Sequence, residues 1–209
     1  MQFNNKQAID VLAKLHSGGF PSAIVAGGCV RDEIFGKPVK DIDVFVSYED
    51  FDNRLVNIQE VLGREVVLEG DIDYEGGEDD EVQGVLTLEP HGDELPVQVI
   101  VLAPGMAPLD RVERFDFSFC QAAWDGKEVV TTCWFRGMYD FYLRRGFGFI
   151  ILKHCESQHE FDRSMVRYER LKQKYPDWKL VVYPEFQKYQ VPPIDDPLTA
   201  YFETHFKTT

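Results

Sequence analysis

The spacing of apolar positions changes several times along the chain, and each change marks an element. Ala8, Val11, Leu12 and Leu15 recur at helical spacing until Gly18 and Gly19 interrupt them, which predicts an amphipathic helix over 4–17. Residues 23–26 form a short apolar run, the pattern of a buried strand, and Gly27 and Gly28 stop it. Val30, Ile34 and Phe35 return to helical spacing before Gly36 and Pro38. Over 41–47 the period falls to two. Ile42, Val44 and Val46 alternate with Asp41, Asp43 and Phe45, so a predicted strand carries two carboxylates on one side.

Further along, 49–62 reads as a helix on Phe51, Leu55, Ile58 and Leu62, and 65–68 as a strand. Residues 71–81 hold Gly76, Gly77 and seven acidic residues, the composition of a solvated loop. Residues 83–88 and 95–102 are β-rich, 104–108 is a break, and 117–124 with 128–132 flank Asp125-Gly126-Lys127 as a hairpin. Phe115, Phe117, Phe119 and Trp124 read as core positions of that strand. Helices are predicted over 138–145 and 156–174, the second acidic at its start and basic toward its end. Residues 183–197 carry four of the eleven prolines and read as an extended tail, with a short helix over 198–206.

These elements predict an α+β protein with a mixed sheet of about four to six strands flanked by helices. The expected division is a core over 1–135, with a C-terminal helical segment and tail over 136–209 packed on it. A length of 209 residues suits one domain with a small appendage.

Charge narrows the function. There are 22 Lys and Arg against 36 Asp and Glu, a formal net charge of −14, so the surface repels phosphate backbones and argues against non-specific coating of long nucleic acid. A metal-bridged nucleotide site remains compatible with that charge. No apolar stretch approaches the roughly 20 residues of a membrane span. The polar first seven residues read as neither signal nor transit peptide. Cys29, Cys120, Cys133 and Cys155 lack any Cys-x-x-Cys spacing, which predicts reduced thiols and a cytoplasmic location. His154, Cys155 and His159 lack a fourth ligand at recognisable spacing, so zinc is not expected.

The stretch that carries chemistry is Gly27-Gly28-Cys29-Val30-Arg31-Asp32, then Gly36, then Asp41-Ile42-Asp43. Paired glycines between a strand and a helix let the backbone approach a triphosphate closely. Arg31, one turn into the helix, is placed to reach the same phosphates with its guanidinium fork. Cys29 is read as a small packing residue, the alternative being a thiol activated by its position at a helix start. Asp41 and Asp43 emerge on one strand face about 7 Å apart at Cα, near enough to share divalent cations. Such an arrangement suits metal-dependent nucleotidyl transfer with Mg2+ or Mn2+.

The pattern Gly-Gly-x-Val-Arg-Asp-x-x-x-Gly-x-x-x-x-Asp-x-Asp, matched at all eight specified positions, resembles the head of class II tRNA nucleotidyltransferases and bacterial poly(A) polymerases. These belong to the DNA polymerase β-like nucleotidyltransferase superfamily, with a palm-like core. The resemblance is strong over 22–47 and extends weakly to about residue 125. It implies transfer of an NMP from an NTP to a hydroxyl of an RNA 3′ end, a protein or a small molecule, with pyrophosphate leaving. Asp41 and Asp43 would hold the metals, and Gly27, Gly28 and Arg31 the triphosphate.

Arg114-Phe115-Asp116-Phe117-Ser118 resembles the family's Arg-Arg-Asp-Phe-Thr, with Phe115 where the second arginine contacts the nucleotide; Arg111 or Arg114 stands near enough in sequence to supply that contact. Glu160, Arg163, Arg167 and Arg170 share a helical face and partly resemble the family's base-reading motif, which implies nucleotide contacts by Arg163 and Arg167. The superfamily's third carboxylate belongs on a neighbouring strand, and the best-placed strand, 96–102, carries Gln98. Either Asp116 or a residue near Asp73 completes the site, or the site is weakened and the chain is a nucleotide- or protein-binding module. The family's tRNA-gripping helical body needs about twice this length, so the chain resembles a minimal, phage-type member.

Overall fold

The computed structural model describes residues 1–52, 58–70, 81–183, 186 and 189. Leu55, most of the 71–81 loop with Asp73, and most of the extended tail with its short helix fall outside them.

Helix α1 (Lys6–Ser17) is capped by Asn5, whose side chain accepts the Ala8 amide at 3.0 Å, and buries Ala8, Val11, Leu12 and Leu15, the stripe its sequence spelled out. Strand β1 (Ile24–Ala26) leads through Gly27 into the seven-residue α2 (Gly28–Ile34) and then β2 (Ile42–Val46). The span expected as one helix over 49–62 contains two short ones, α3 (Tyr48–Asp52) and α4 (Ile58–Leu62). Strands β3 (Val66–Gly70), β4 (Val82–Leu88) and β5 (Val97–Leu102) follow. The break expected at 104–108 opens a further helix, α5 (Pro108–Glu113), with proline in its first turn, where its missing N–H costs nothing.

These strands join β6 (Ala122–Trp124) and β7 (Val129–Thr131) in one seven-stranded sheet of order β3-β4-β5-β2-β1-β6-β7, a strand more than the upper expectation. Only β2 and β5 run parallel within it; every other neighbouring pair is antiparallel. The sheet is therefore mixed, and its central strand β2 is covered on both faces. Ile42, Val44 and Val46 are fully buried on one face, while Phe45 on the other packs among Ile24, Ala26, Ile100, Val112 and Ala123.

One expected strand did not form over its whole length. Residues Ser118–Cys120 make a 3-10 turn, and the strand starts only at Ala122. Between the turn and the strand, Gln121 ties neighbouring segments together: its Nε2 donates to the carbonyls of Glu113 (2.8 Å) and Phe115 (3.0 Å), and its Oε1 accepts from Thr132 Oγ1 (3.0 Å). Phe117 and Phe119 are buried as expected, but on the turn.

The chain divides into two compact units, one of Met1–Phe115 with Phe119–Gly137, the other of Asp116–Ser118 with Met138–Thr209. Helix α6 (Cys133–Arg145) starts earlier than its sequence pattern suggested, since Thr132 Oγ1 accepts the Phe135 amide at 3.2 Å. The second unit holds β8 (Phe149–Leu152), α7 (Gln158–Lys174) and β9 (Lys179–Val182), with β8 and β9 paired in parallel. Neither strand was anticipated; each is a four-residue run too short for periodicity to classify. Gly148 admits the Trp178 ring, which would lie 2.7 Å from any Cβ there. Among the described residues, no helix is long and apolar enough to cross a membrane.

Candidate active site

Gly27 sits at φ +71°, ψ −126°, a backbone region that any side chain would strain. Its amide donates to Ala122 O (3.1 Å) and its carbonyl accepts the Arg31 amide (3.0 Å), so the turn is tied to β6 and α2 together. A Cβ on Gly28 would meet only Arg31 Nη2, at 3.7 Å, and the turn is open to a close approach at that point.

The register of β1 and β2, Ile24 with Phe45 and Val25 with Val44, brings the carboxylates to this turn. Extending the pairing by one residue sets Asp43 opposite Ala26, immediately before Gly27. Asp41 and Asp43 are both half-buried. Beside Asp43, the parallel strand β5 places Gln98, and Gln98 in turn pairs with Thr87 on β4. A polar row of Asp43, Gln98 and Thr87 thus crosses three strands, with Gln98 Nε2 donating to Thr87 Oγ1 at 3.4 Å. The position where the resemblance calls for a third carboxylate is an amide.

Among the described residues, no group of three or more His, Cys, Asp or Glu is placed to hold a metal. The donor set nevertheless suits Mg2+. That ion is usually bound by one or two carboxylates together with substrate phosphates rather than by an all-protein cage.

Arg31 is drawn into the first unit. It is 7% exposed, its Nε donates to Asp32 Oδ1 at 2.7 Å, its Nη1 to Cys120 Sγ at 3.1 Å, and its guanidinium lies 5.0 Å from the Phe119 ring centroid. The side chain braces the glycine turn from inside.

Cys29 reports on the charge around it. Burial, and after it the negative charges of Asp43, Glu33, Asp32 and Asp41, push its thiol well above the usual range. The thiol therefore stays protonated. Cys29 is the packing residue, as expected, and the activated-thiol alternative does not hold. At pH 8, iodoacetamide should modify exposed Cys133 in the native protein and leave Cys29 unmodified until denaturant is added, read by mass spectrometry. Native labelling of Cys29 at the rate of Cys133 would refute this placement.

The other candidate residues divide between the units. Arg114 lies in the first, half-exposed and ion-paired with Glu81, which also takes Arg111 Nη1 at 2.6 Å. Asp116 lies in the second. Its carboxylate accepts from the Phe117 amide (2.9 Å), Ser164 Oγ (3.0 Å) and Arg167 Nη1 (3.1 Å), and its carbonyl accepts the Lys153 and His154 amides. Arg163 lies one turn before Arg167 on α7. Sequence reasoning missed Glu81 as a partner, because it closes a run of acidic residues that reads as solvated. The signal was the Arg111-x-x-Arg114 spacing, which puts two guanidinia on one helical face.

A sequence-family model described as Gad2, Gabija anti-defense 2 family protein, matches residues 2–136. A CCA-adding enzyme of Streptococcus suis (strain 05ZYH33) is 33% identical over an 85-residue alignment that covers 36% of this chain and 21% of that enzyme. Among solved structures, the Bacillus stearothermophilus CCA-adding enzyme in complex with CTP superposes with a TM-score of 0.54 at 18% identity, over 90% of this chain and 43% of that one. A CCA-adding enzyme complexed with ATP gives 0.54 at 17% identity, over 89% and 41%. The chain spans less than half the length of these structures and about a fifth of the Streptococcus enzyme. The fold is that of the nucleotidyltransferases, in line with the resemblance read from residues 22–47.

Proposed function

The chain belongs to the Gabija anti-defense 2 family, and from that premise we propose that it is a metal-dependent nucleotidyltransferase whose transfer reaction acts against Gabija defence. It would move an NMP from an NTP to a hydroxyl of an RNA 3′ end, a protein or a small molecule. One observation carries the reading: the β1–β2 register sets Asp43 beside the Gly27 turn, so a carboxylate pair and a backbone open to phosphates meet at one strand end.

In this reading Asp41 and Asp43 hold Mg2+ or Mn2+ together with the phosphates. When bound, the ion neutralises the polyphosphate and favours attack by a hydroxyl. The Gly27–Gly28 backbone lies against the triphosphate, Arg31 keeps that backbone in place from within, and Arg114 adds a half-exposed cation. Within the second unit, Asp116 orients Arg167. The acceptor oxygen bonds to the α-phosphorus, the bond to the β-phosphate oxygen breaks, pyrophosphate leaves, and the hydroxyl proton passes to water.

A second reading, a binding module without turnover, is favoured by Gln98 at the third-carboxylate position. Pyrophosphate release from each of the four NTPs, with Mg2+ or Mn2+ and with RNA, protein and small-molecule acceptors, separates the two. The wild type should release it and Asp41→Asn should not. Absence of release from the wild type, with Mg-NTP still raising its melting temperature, would establish the module instead.

A further inference from the structure

The order of strands sets two different surfaces on either side of Asp43. Strand β2 lies between β1, which runs into the Gly27 turn, and β5, with β4 beyond it. On the β1 side is the backbone open to phosphates. On the β5 side the row continues through Gln98 and Thr87, all three residues half-buried. Gln98 and Thr87 bond to each other at 3.4 Å, and neither side chain makes another hydrogen bond among the described residues. In the next row on the same face, Phe45, Ile100 and Val85 pack with Val112 of α5, so the polar row borders the part of the sheet that the helix covers. Two residues beyond Thr87, exposed Glu89 carries on along that face, its amide donating to Glu65 O at 2.9 Å.

We propose that the row of Gln98 and Thr87 is the floor of the acceptor site, and that the acceptor is a phosphate-free hydroxyl carried by a protein, a serine, threonine or tyrosine side chain; this rests on the nucleotidyl-transfer reading above. The displacement itself gives the direction. Attacking and leaving oxygens stand roughly in line across the α-phosphorus. With pyrophosphate leaving toward the Gly27 turn, the hydroxyl attacks from the opposite side of Asp43, which is the side of Gln98 and Thr87. The Gln98 amide holds the hydroxyl by a hydrogen bond and takes no proton. The acceptor oxygen bonds to the α-phosphorus, the bond to the bridging oxygen breaks, pyrophosphate departs with that oxygen, and the proton passes to water.

The chemistry of the floor selects the acceptor. Amide and hydroxyl groups match the N–H and C=O of a peptide, and three adjacent strands span about 10 Å. That length suits a side chain with its hydroxyl beside Asp43 and its peptide group over Thr87. An RNA end would bring phosphates instead. The first unit carries eleven Lys and Arg against twenty-five Asp and Glu, and the second eleven of each, so the whole net charge of −14 falls on the unit that holds this row. Phosphates without their own metal are repelled there.

The test is transfer of radiolabelled NMP by the full-length protein, from each of the four NTPs with Mg2+ or Mn2+. The probes are capped tripeptides with central serine, threonine or tyrosine, glycerol, and an oligoribonucleotide with a free 3′ hydroxyl. The wild type should label a peptide faster than the oligoribonucleotide. Thr87→Val should raise the KM of that peptide about tenfold, the loss of one hydrogen bond, and leave the KM of the NTP where it was, a split that a merely structural loss would not give. Gln98→Leu should raise the peptide KM likewise, and decides the matter if the Thr87 variant fails to fold. Glu89→Lys should increase labelling of the oligoribonucleotide several-fold. Faster labelling of the oligoribonucleotide or of glycerol than of any peptide, or an unchanged peptide KM in the variants, overturns the inference and keeps the nucleotidyl-transfer reading. A wild type that labels none of the probes refutes both.

Discussion

Asp43→Asn should lose the rise in melting temperature that Mn2+ and NTP give the wild type, and should melt higher than the wild type when metal is withheld. Asp41 and Asp43 leave one strand face beside the Gly27 turn, with Glu33 on the helix that follows it. Like charges so placed repel unless a cation lies among them. Removing about 1 kcal/mol of repulsion corresponds to about 2–4 °C in a domain of this size. In the other direction, ligand at a hundred times its Kd contributes about 2.7 kcal/mol, or roughly 5–10 °C, which only the wild type should show. Differential scanning fluorimetry of both proteins with and without Mn2+ and each NTP measures both effects. A variant that responds to metal as the wild type does would remove Asp43 from the site.

Arg31→Ala carries the largest expected loss of stability. The guanidinium and the Asp32 carboxylate are 9% and 3% exposed, so deleting the cation leaves a negative charge in the interior without its arginine partner. Breaking a buried pair from one side typically costs about 3–5 kcal/mol, which translates into a fall of roughly 6–20 °C. The contacts with Cys120 and Phe119 are lost as well, and with them the brace behind the Gly27–Gly28 turn. Arg31→Lys should recover only part of the loss, because an ammonium cannot reach Asp32 and Cys120 with a planar fork. Chemical denaturation read by tryptophan fluorescence tests this. An alanine variant within 1 kcal/mol of the wild type would show that the pair is not the brace described.

The two expectations draw on different kinds of information. That Asp41 and Asp43 share a face follows from the two-residue period of a strand, and any chain with alternating Ile42, Val44 and Val46 in a core would place them so. Helix α1 was legible for the same reason, since its apolar stripe has one period throughout and Gly18 ends it. Segments governed by a single long-range side chain were not legible. Residues 117–120 alternate like a strand, yet 118–120 form a 3-10 turn, followed by Gln121, whose side chain reaches back to the Glu113 and Phe115 carbonyls. Strands β8 and β9 exist because they pair with each other across 26 intervening residues, a partnership that no local window contains.

The site divides along the same line. The sequence by itself determined the strand–glycine–helix–strand order, the two carboxylates on one face and the positive-φ turn, because each depends on backbone geometry and spacing within about 20 residues. Only the tertiary structure decided that Gln98 is the neighbour of Asp43, that Arg31 turns inward to Asp32 and Cys120, and that Glu81 pairs with both Arg111 and Arg114. Apart from the adjacent Arg31 and Asp32, these partners lie 30 to 89 positions apart, and they are selected by how two buried surfaces fit and how their charges are satisfied, not by the order of residues along either one.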